Sequence, residues 1–475
     1  MFAPRPTDTH SMSGDGTGER LLLTALTSTM VLLVLDSSIV GVMLPSIERD
    51  MHMSATESSW VVSVYLLTLA VFLPFGGGLA DAWGAVRVFR VGMAGFIAAS
   101  AAVALAPDVE IVIAARAVAG ISGALLMPAT LSLLTSGIAK ARRAGAMAVY
   151  TGVGQGFALV GPAVGGLCAQ FIGWRWGFLV NVPVGLAGMY LIHLAAPRNL
   201  RTPVQTWDVR GMVLLSAGLG MLATALIELP DWGWQSTAFA ATVCAGSIAL
   251  AAFVVLARRT SEPILDIGLF RRMTFATNTI VLAALGFAMT VASVYGAVAL
   301  QNSLHLRPAA AGLSLLPLVI PLLVATKLIG ARYERFGLRR VVVGGSVILA
   351  VGLCVAAAGF AAASLVVVSI GMVCAGTGMG AILSPLNAAT IATVPDDRSG
   401  QASGVMTTCR QLGGVLGLGV FAAVVGTAHG GAATAVGFAL TAGVMVLAAV
   451  IAAVGLPRCG SQQHSPIQGV RCQSL

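Results

Sequence analysis

Long apolar runs separated by short polar breaks dominate the chain. They fall at about 21–44, 58–79, 87–106, 111–136, 146–171, 176–196, 209–229, 237–257, 275–300, 310–331, 341–361, 365–393, 402–426 and 432–455. A helix rises ~1.5 Å per residue, so a run of about 20 residues crosses the ~30 Å hydrocarbon core of a bilayer. The pattern predicts an all-α membrane protein with fourteen transmembrane helices. Met1 to Glu19 and Pro457 to Leu475 are polar and read as disordered tails. The first has no short apolar core followed by a small-residue cleavage site, so it does not read as a signal peptide.

Composition sharpens this picture. The chain is 57% hydrophobic and 9% charged, whereas soluble domains carry roughly 25% charged residues. A net charge of +9 suits nucleic acid in other contexts, but here the basic residues sit in short loops on alternate sides of the spans, so no nucleic-acid partner is expected. Arg87 and Arg90, Lys140 to Arg143, Arg198 and Arg201, Arg258 to Arg272, Arg332 to Arg340, and Arg398 share one side. The other side carries Arg49, Arg175 and Arg307 among mildly acidic loops. The positive-inside rule places the first side, and both termini, in the cytoplasm. None of the seven cysteines forms a C-x-x-C pair, so neither a disulfide framework nor a zinc site is indicated. No ATP-binding P-loop is present. No cofactor or metal is expected, and ATP is not the direct drive.

Asp36 interrupts the first run, in Leu35-Asp36-Ser37-Ser38-Ile39-Val40-Gly41-Val42-Met43-Leu44-Pro45. An aspartate at mid-bilayer costs ~2.5–3.5 kcal/mol on insertion scales, so it needs a cavity or a partner. It is either a proton-exchanging group or a structural aspartate locked in a hydrogen bond. Arg116 lies about six residues into the fourth span, at a depth within side-chain reach of Asp36. The two are expected to face one cavity, with Arg116, which cannot itself deprotonate, setting the protonation of the carboxylate. The plainer reading has Arg116 snorkelling or bonding backbone carbonyls. Arg410 and Gln411, in the thirteenth span, line the cavity or reach the interface.

A repeat is visible. Gly77-x-x-x-Asp81-x-x-Gly84-x-x-Arg87 recurs as Gly330-x-x-x-Glu334-x-x-Gly337-x-x-Arg340, and Gly123-x-x-x-x-Pro128 recurs as Gly380-x-x-x-x-Pro385, about 255 residues on. Two parallel six-span halves with two spans between them fit this offset, as in the major facilitator fold. The expected organisation is a tail at 1–20, a six-helix half at 21–196, a linker at 197–208, inserted helices at 209–257, a loop at 258–274, a second half at 275–455 and a tail at 456–475.

Several motifs in order then carry a family resemblance. Leu35 to Pro45, Ser59-Trp60-Val61-Val62 with Tyr65-Leu66-Leu67, Gly78 to Gly84, Arg116 to Gly120, Gly161-Pro162-Ala163-Val164-Gly165-Gly166, and Trp174 to Phe178 with Asn181-Val182-Pro183 resemble the fourteen-helix drug:proton antiporter family of the major facilitator superfamily. The chain departs from that pattern at Gly41, Met43, Ala82, Ala85 and Val86. The resemblance implies a proton-coupled efflux transporter, working by alternating access on a hydrophobic or amphipathic small molecule. It implies proton coupling by Asp36 and Arg116, and a gate at Gly161, Pro162, Gly165 and Gly166. It also implies latches at the cytoplasmic ends formed by Asp81, Gly84 and Arg87 and by Glu334 and Arg340. Ser37, Tyr65, Gln155 and Asn387 are candidate substrate contacts because they are polar within spans, although such residues also serve as glue between helices. A single membrane carboxylate suits a cationic or zwitterionic compound, with neutral compounds also open. The partners are the substrate, protons and the lipid bilayer, and the expected state is a monomer. Metabolite uptake by proton symport is the alternative within the same fold. A membrane-embedded transferase would need clustered acid and histidine groups, and the chain offers only His10 and Asp15 in a tail. A transport-dead sensor is countered by the presence of Asp36 and Arg116.

Overall fold

The computed structural model describes residues 16–139, 141–195, 208–260, 267–330, 332–392, 399–425 and 430–457. The polar tails up to residue 15 and from 458 onward, most of the linker and parts of five further loops therefore lie outside the described residues. Helices account for the first half as α1 (Gly16–Met51), α2 (Ala55–Trp83), α3 (Ala85–Leu105), α4 (Val109–Gly137), α5 (Arg143–Leu167), α6 (Trp174–Leu179) and α7 (Asn181–Ala195). Two inserted spans follow as α8 (Val209–Ile227), the short α9 (Leu229–Trp232) and α10 (Thr237–Ala257). The second half comprises α11 (Met273–Thr290), α12 (Gly296–Asn302), α13 (Pro308–Leu313), α14 (Leu316–Gly330), α15 (Tyr333–Phe336), α16 (Leu338–Ala361), α17 (Leu365–Ala392), α18 (Ser399–Val425) and α19 (Gly431–Gly455). Among the described residues, 13 helical stretches are long and apolar enough to cross a membrane, and α5 with its π-helical extension Cys168–Ile172 makes a bent fourteenth.

Two boundaries differ from the sequence expectation. Gly16 to Glu19 are helical, not tail, because Glu19 in the first turn of α1 pairs with Arg142 at 2.8 Å and accepts a hydrogen bond from Ala139 N at 3.3 Å. The first helix also runs through Pro45 to Met51. Pro45 lacks only its own N–H, and Arg49 Nε donates to the Pro45 carbonyl at 3.0 Å, so the helix continues past it.

The repeat is visible in the backbone. Gly84 ends α2 and starts α3 with φ at 88°, and Gly337 does the same between α15 and α16 with φ at 83°. Both turns need the left-handed region that glycine enters freely. Pro128 and Pro385 lie inside α4 and α17. Small residues set the close packing: Gly345 and Gly352 on α16 face Gly378 and Gly371 on α17, Gly359 faces Val368, and a Cβ on Gly352 would come within 2.3 Å of Ala375 N.

Each half has its own core, one built around Phe89, Phe96 and Tyr65, the other around Phe360, Phe438 and Met445. The inserted helix α8 packs on α2 of the first half and α18 of the second, and α10 packs on α8. Trp60 Nε1 donates to Glu228 Oε1 at 2.5 Å, and Ser216 Oγ donates to the Val71 carbonyl at 3.4 Å. The insert thus tracks the seam between halves instead of hanging free in the bilayer.

Candidate functional site

Asp36 and Arg116 meet. Arg116 Nη1 lies 2.6 Å from Asp36 Oδ2, and each side chain is 1% exposed. Three helices build the contact. α1 carries Asp36 and α4 carries Arg116. From the start of α7, Asn181 Nδ2 donates to Asp36 Oδ1 at 3.1 Å and to Ser100 Oγ of α3 at 3.3 Å. Arg116 Nε donates to the Val61 carbonyl of α2 at 3.2 Å, so the arginine bonds both the carboxylate and a backbone carbonyl. Its guanidinium also lies 4.2 Å from the centre of the Tyr65 ring and 5.8 Å from that of Phe178. Asn181 Oδ1 is buried and has no partner. A charged pair in this setting is held by charge-assisted bonds and aromatic faces in place of water.

The pair does not face the central space. The side of α1 turned toward the second half carries Leu23, Thr27, Met30, Val34, Ser37 and Gly41, at alternating steps of three and four. All but Gly41 are partly or fully accessible. Gly41 closes the stripe, because a Cβ there would come within 3.0 Å of Val294 Cα from the second half. Asp36 points to the opposite side, into the bundle of its own half. Ser37 lies on the open stripe, exposed, its hydroxyl donating to the Val34 carbonyl. Tyr65, expected as a substrate contact, is instead buried beneath Arg116. Its ring is the floor of the charged pair, lying under the buried guanidinium. Asn387 is half-buried on α17. The side chain of Gln155 lies outside the described residues.

At the end of the molecule away from the Arg-rich loops, the halves seal. Gln301 Nε2 donates to the Val42 carbonyl at 2.9 Å, and Ala309 N donates to Gln170 Oε1 at 3.2 Å. Ser59 Oγ and Tyr295 OH are 3.5 Å apart. The glycine motif of α5 serves this seal. A Cβ on Gly166 would sit 2.3 Å from the Pro308 carbonyl oxygen, and one on Gly312 would sit 2.2 Å from that of Pro162. Gly161 and Gly165 admit Ser38 and Ile39 of α1. The helix bends by 42° between 145–158 and 160–172. That is one turn before Pro162, where the missing N–H leaves the Ala158 carbonyl without its helical donor. A second π-helical turn, Val291–Tyr295, lies at the same seal in the second half.

At the Arg-rich end the main neighbours of α4 all belong to its own half, and α17 likewise packs within its own half. Among the described residues the central space is therefore open at this end. Arg87 and Arg340 are exposed there. The side chains of Asp81 and Glu334 lie outside the described residues, while Gly84 and Gly337 hold the turns that would present them.

Sequence reasoning missed Asn181 and Ser100 as partners of the pair, and Gln170, Tyr295 and Gln301 as parts of the seal. The only signal for Asn181 was its place after Trp174-Arg175-Trp176-Gly177-Phe178; the two glutamines stood out only as amides inside apolar runs.

The comparisons with known proteins agree with this geometry. The family model described as Major Facilitator Superfamily matches residues 26–418 and 279–469. The Tetracenomycin C resistance and export protein of Streptomyces glaucescens is 32% identical over 84% of this chain and 74% of its own. The Multidrug efflux pump LfrA of Mycolicibacterium smegmatis is 32% identical over 83% of this chain and 78% of its own. Among solved structures, the POT family transporter PepTSo superposes with a TM-score of 0.71 over 91% of this chain and 97% of its own, at 14% identity, which speaks to the fold alone. With its two six-helix halves, its inserted pair and its one-sided central space, the chain belongs to the major facilitator superfamily of membrane transporters.

Proposed function

We propose that this transporter exports a hydrophobic or amphipathic small molecule, of the drug, antibiotic or secondary-metabolite kind, in exchange for protons. The names of its relatives, which include export and multidrug efflux proteins, support the direction. The observation that carries the coupling is the buried Asp36–Arg116 pair set directly behind the open stripe of α1. The Arg-rich loops support a cytoplasmic position for the open end and both termini, in a bacterial inner membrane. The conformation described is then closed outward and open inward.

The mechanism follows from the contacts. Arg116 keeps its charge, so Asp36 is the member that changes. Protonation of Asp36 removes one charge of the pair and frees Arg116 and Asn181 from it. Those two residues tie α1 to α4 and α7, so the change reaches α1, and α1 carries both Ser37 on the cavity face and Gly41 and Val42 at the outer seal. Loss of the proton inward restores the pair. One charge falling through 100 mV releases ~2.3 kcal/mol, enough for roughly a 50-fold gradient of substrate. In the outward-open state Asp81 with Gly84 and Arg87, and Glu334 with Gly337 and Arg340, latch the cytoplasmic ends. The working unit is a monomer.

Everted vesicles energised to hold a proton gradient, read by a pH-sensitive dye, test this directly. A panel of antibiotics and lipophilic compounds should dissipate the gradient with wild type and leave it intact with Asp36→Asn. Equal responses from both proteins would remove Asp36 from the coupling step.

A further inference from the structure

We propose that a cleft at the sealed end, between the tip of α1 and the start of α6, binds the phosphate of an anionic phospholipid such as phosphatidylglycerol. The inference goes beyond the export reading and holds whatever compound is carried.

The chain turns sharply at Gly173, with φ at 97°, between the π-helical turn Cys168–Ile172 and α6. This corner stands against the last residues of α1 and leaves a cleft of about 570 Å³ between them. Ser46, Arg49 and Asp50 line one wall, and Trp174, Arg175 and Trp176 line the other. Arg175 is engaged on every side. Its Nη1 pairs with Asp50 Oδ2 at 2.5 Å, its Nη2 donates to the Ala106 carbonyl at 3.3 Å, and its guanidinium lies 4.4 Å from the centre of the Trp174 ring. Trp174 Nε1 donates to the same Asp50 oxygen at 3.0 Å. Arg49 is held differently. Its Nε donates to the Pro45 carbonyl at 3.0 Å and its Nη2 reaches Ser46 Oγ at 3.4 Å, both on its own helix. Among the described residues no ion pair includes it, and Asp50 is the one acidic residue lining the cleft. The adjacent Glu48 lies about 100° round the helix, on the side of Ser58 of α2. The cleft thus sets two guanidiniums against one carboxylate, with Arg49 exposed in it. A guanidinium is suited to phosphate, which it takes two-pronged.

The surroundings identify the anion as a lipid headgroup. Phe171, Ile172 and Trp176 beside the cleft are 70%, 58% and 53% exposed. Large apolar side chains so exposed at the end of a span lie in the bilayer, and tryptophan collects at headgroup level. Toward the bilayer centre, Leu167 and Val160 continue an exposed apolar row along α5. Acyl chains lie against that row when the phosphate sits in the cleft. A free anion gains nothing from the row, whereas a lipid gains from both parts. A zwitterionic headgroup would bring its own cation to Arg49, so the net charge of the cleft favours an anionic one. With the open end cytoplasmic, the site belongs to the outer leaflet. Both walls also serve the seal, because α1 carries Val42 and the π-helical turn carries Gln170. A lipid held here braces the sealed end and stabilises the protein by mass action.

The test follows the thermal unfolding midpoint of the full-length protein in a nonionic detergent. Three probes are titrated: dioctanoyl-phosphatidylglycerol, dioctanoyl-phosphatidylcholine, and glycerol 3-phosphate, which is the headgroup without chains. Phosphatidylglycerol should raise the midpoint, with half its effect at a roughly tenfold lower concentration than phosphatidylcholine requires. Glycerol 3-phosphate should have no effect at that concentration. Arg49→Gln should bring the two lipids together by weakening phosphatidylglycerol alone, and Arg49→Lys should keep most of the preference. Ser46→Phe fills the cleft, leaves both arginines in place, and should also abolish the preference. The concentration for half the effect is the readout, so a lower starting midpoint in a variant does not disturb the comparison, and Ser46→Phe decides alone should Arg49→Gln not fold. Equal responses of wild type to the two lipids overturn the proposal. So does a preference that survives either Arg49→Gln or Ser46→Phe, which would place the lipid on the Arg-rich loops at the other end. Protection by glycerol 3-phosphate as strong as that by phosphatidylglycerol would make the cleft a site for an anion in water, and the lipid assignment would fail.

Discussion

At the scale of single residues, the cost of burying charge governs what the central knot tolerates. Removing one partner of a buried ion pair leaves the other uncompensated, at about 3–5 kcal/mol. Arg116→Gln should therefore lower thermal stability in detergent sharply, while the double variant Asp36→Asn with Arg116→Gln should recover much of the loss, because no lone carboxylate remains. A single variant as stable as wild type would sink the assignment. Asn181→Leu keeps the bulk and removes the donor to Asp36 Oδ1, for an expected loss of about 1–3 kcal/mol by the same measurement. Asp36 and Arg116 were legible in the sequence because a charge inside an apolar run is costly enough to stand out. Asn181, Ser100 and Tyr65 were not. Neutral polar side chains are cheap in a span, and their meeting depends on how α2, α3 and α7 pack, which no local pattern encodes.

At the scale of elements, the span boundaries were readable and the faces were not. Runs of apolar residues set the helices to within a turn or two, and the exceptions, Gly16 to Glu19 and Pro45 to Met51, depend on partners or on a proline that a helix can carry. The face of α1 that lines the open space holds Leu23, Met30 and Val34, as apolar as the buried faces, so hydropathy could not orient it. It was the close approaches at Gly41, Gly161 and Gly165 that did. The bend of α5 is the element-scale feature with a nameable cause. Pro162→Ala returns the N–H that the Ala158 carbonyl lacks and should straighten the helix. Two arms of about 20 Å opened from 42° to straight lengthen the span by about 3 Å. Spin labels at Gly145→Cys and Ile172→Cys, in a background free of other cysteines, should report that increase, with slower transport alongside. An unchanged distance would place the cause of the bend elsewhere.

At the scale of the whole molecule, the repeat gave the fold, but a repeat is blind to state, because one sequence must encode the outward-open and inward-open forms at similar free energy. The seal shows how that balance is kept. Its polar contacts are few, chiefly Gln301 to Val42 and Ala309 to Gln170, and each such bond contributes about 0.5–1.5 kcal/mol net. Much of the rest is apolar packing and backbone lying against glycine, which hold no specific charge. Contacts of this kind part and re-form without stranding a buried charge, which a seal of ion pairs could not do. Joining Gln170→Cys to Ala309→Cys with a short bifunctional methanethiosulfonate should therefore stop transport and leave the inward-open cavity intact. In that cross-linked protein, with its other cysteines replaced, Ser37→Cys should still react with an impermeant thiol reagent applied from the cytoplasmic face of everted vesicles, and reduction should restore transport. Transport that survives the cross-link would mean that the two halves do not part along the α5–α13 contact, and the exit route would have to be sought elsewhere.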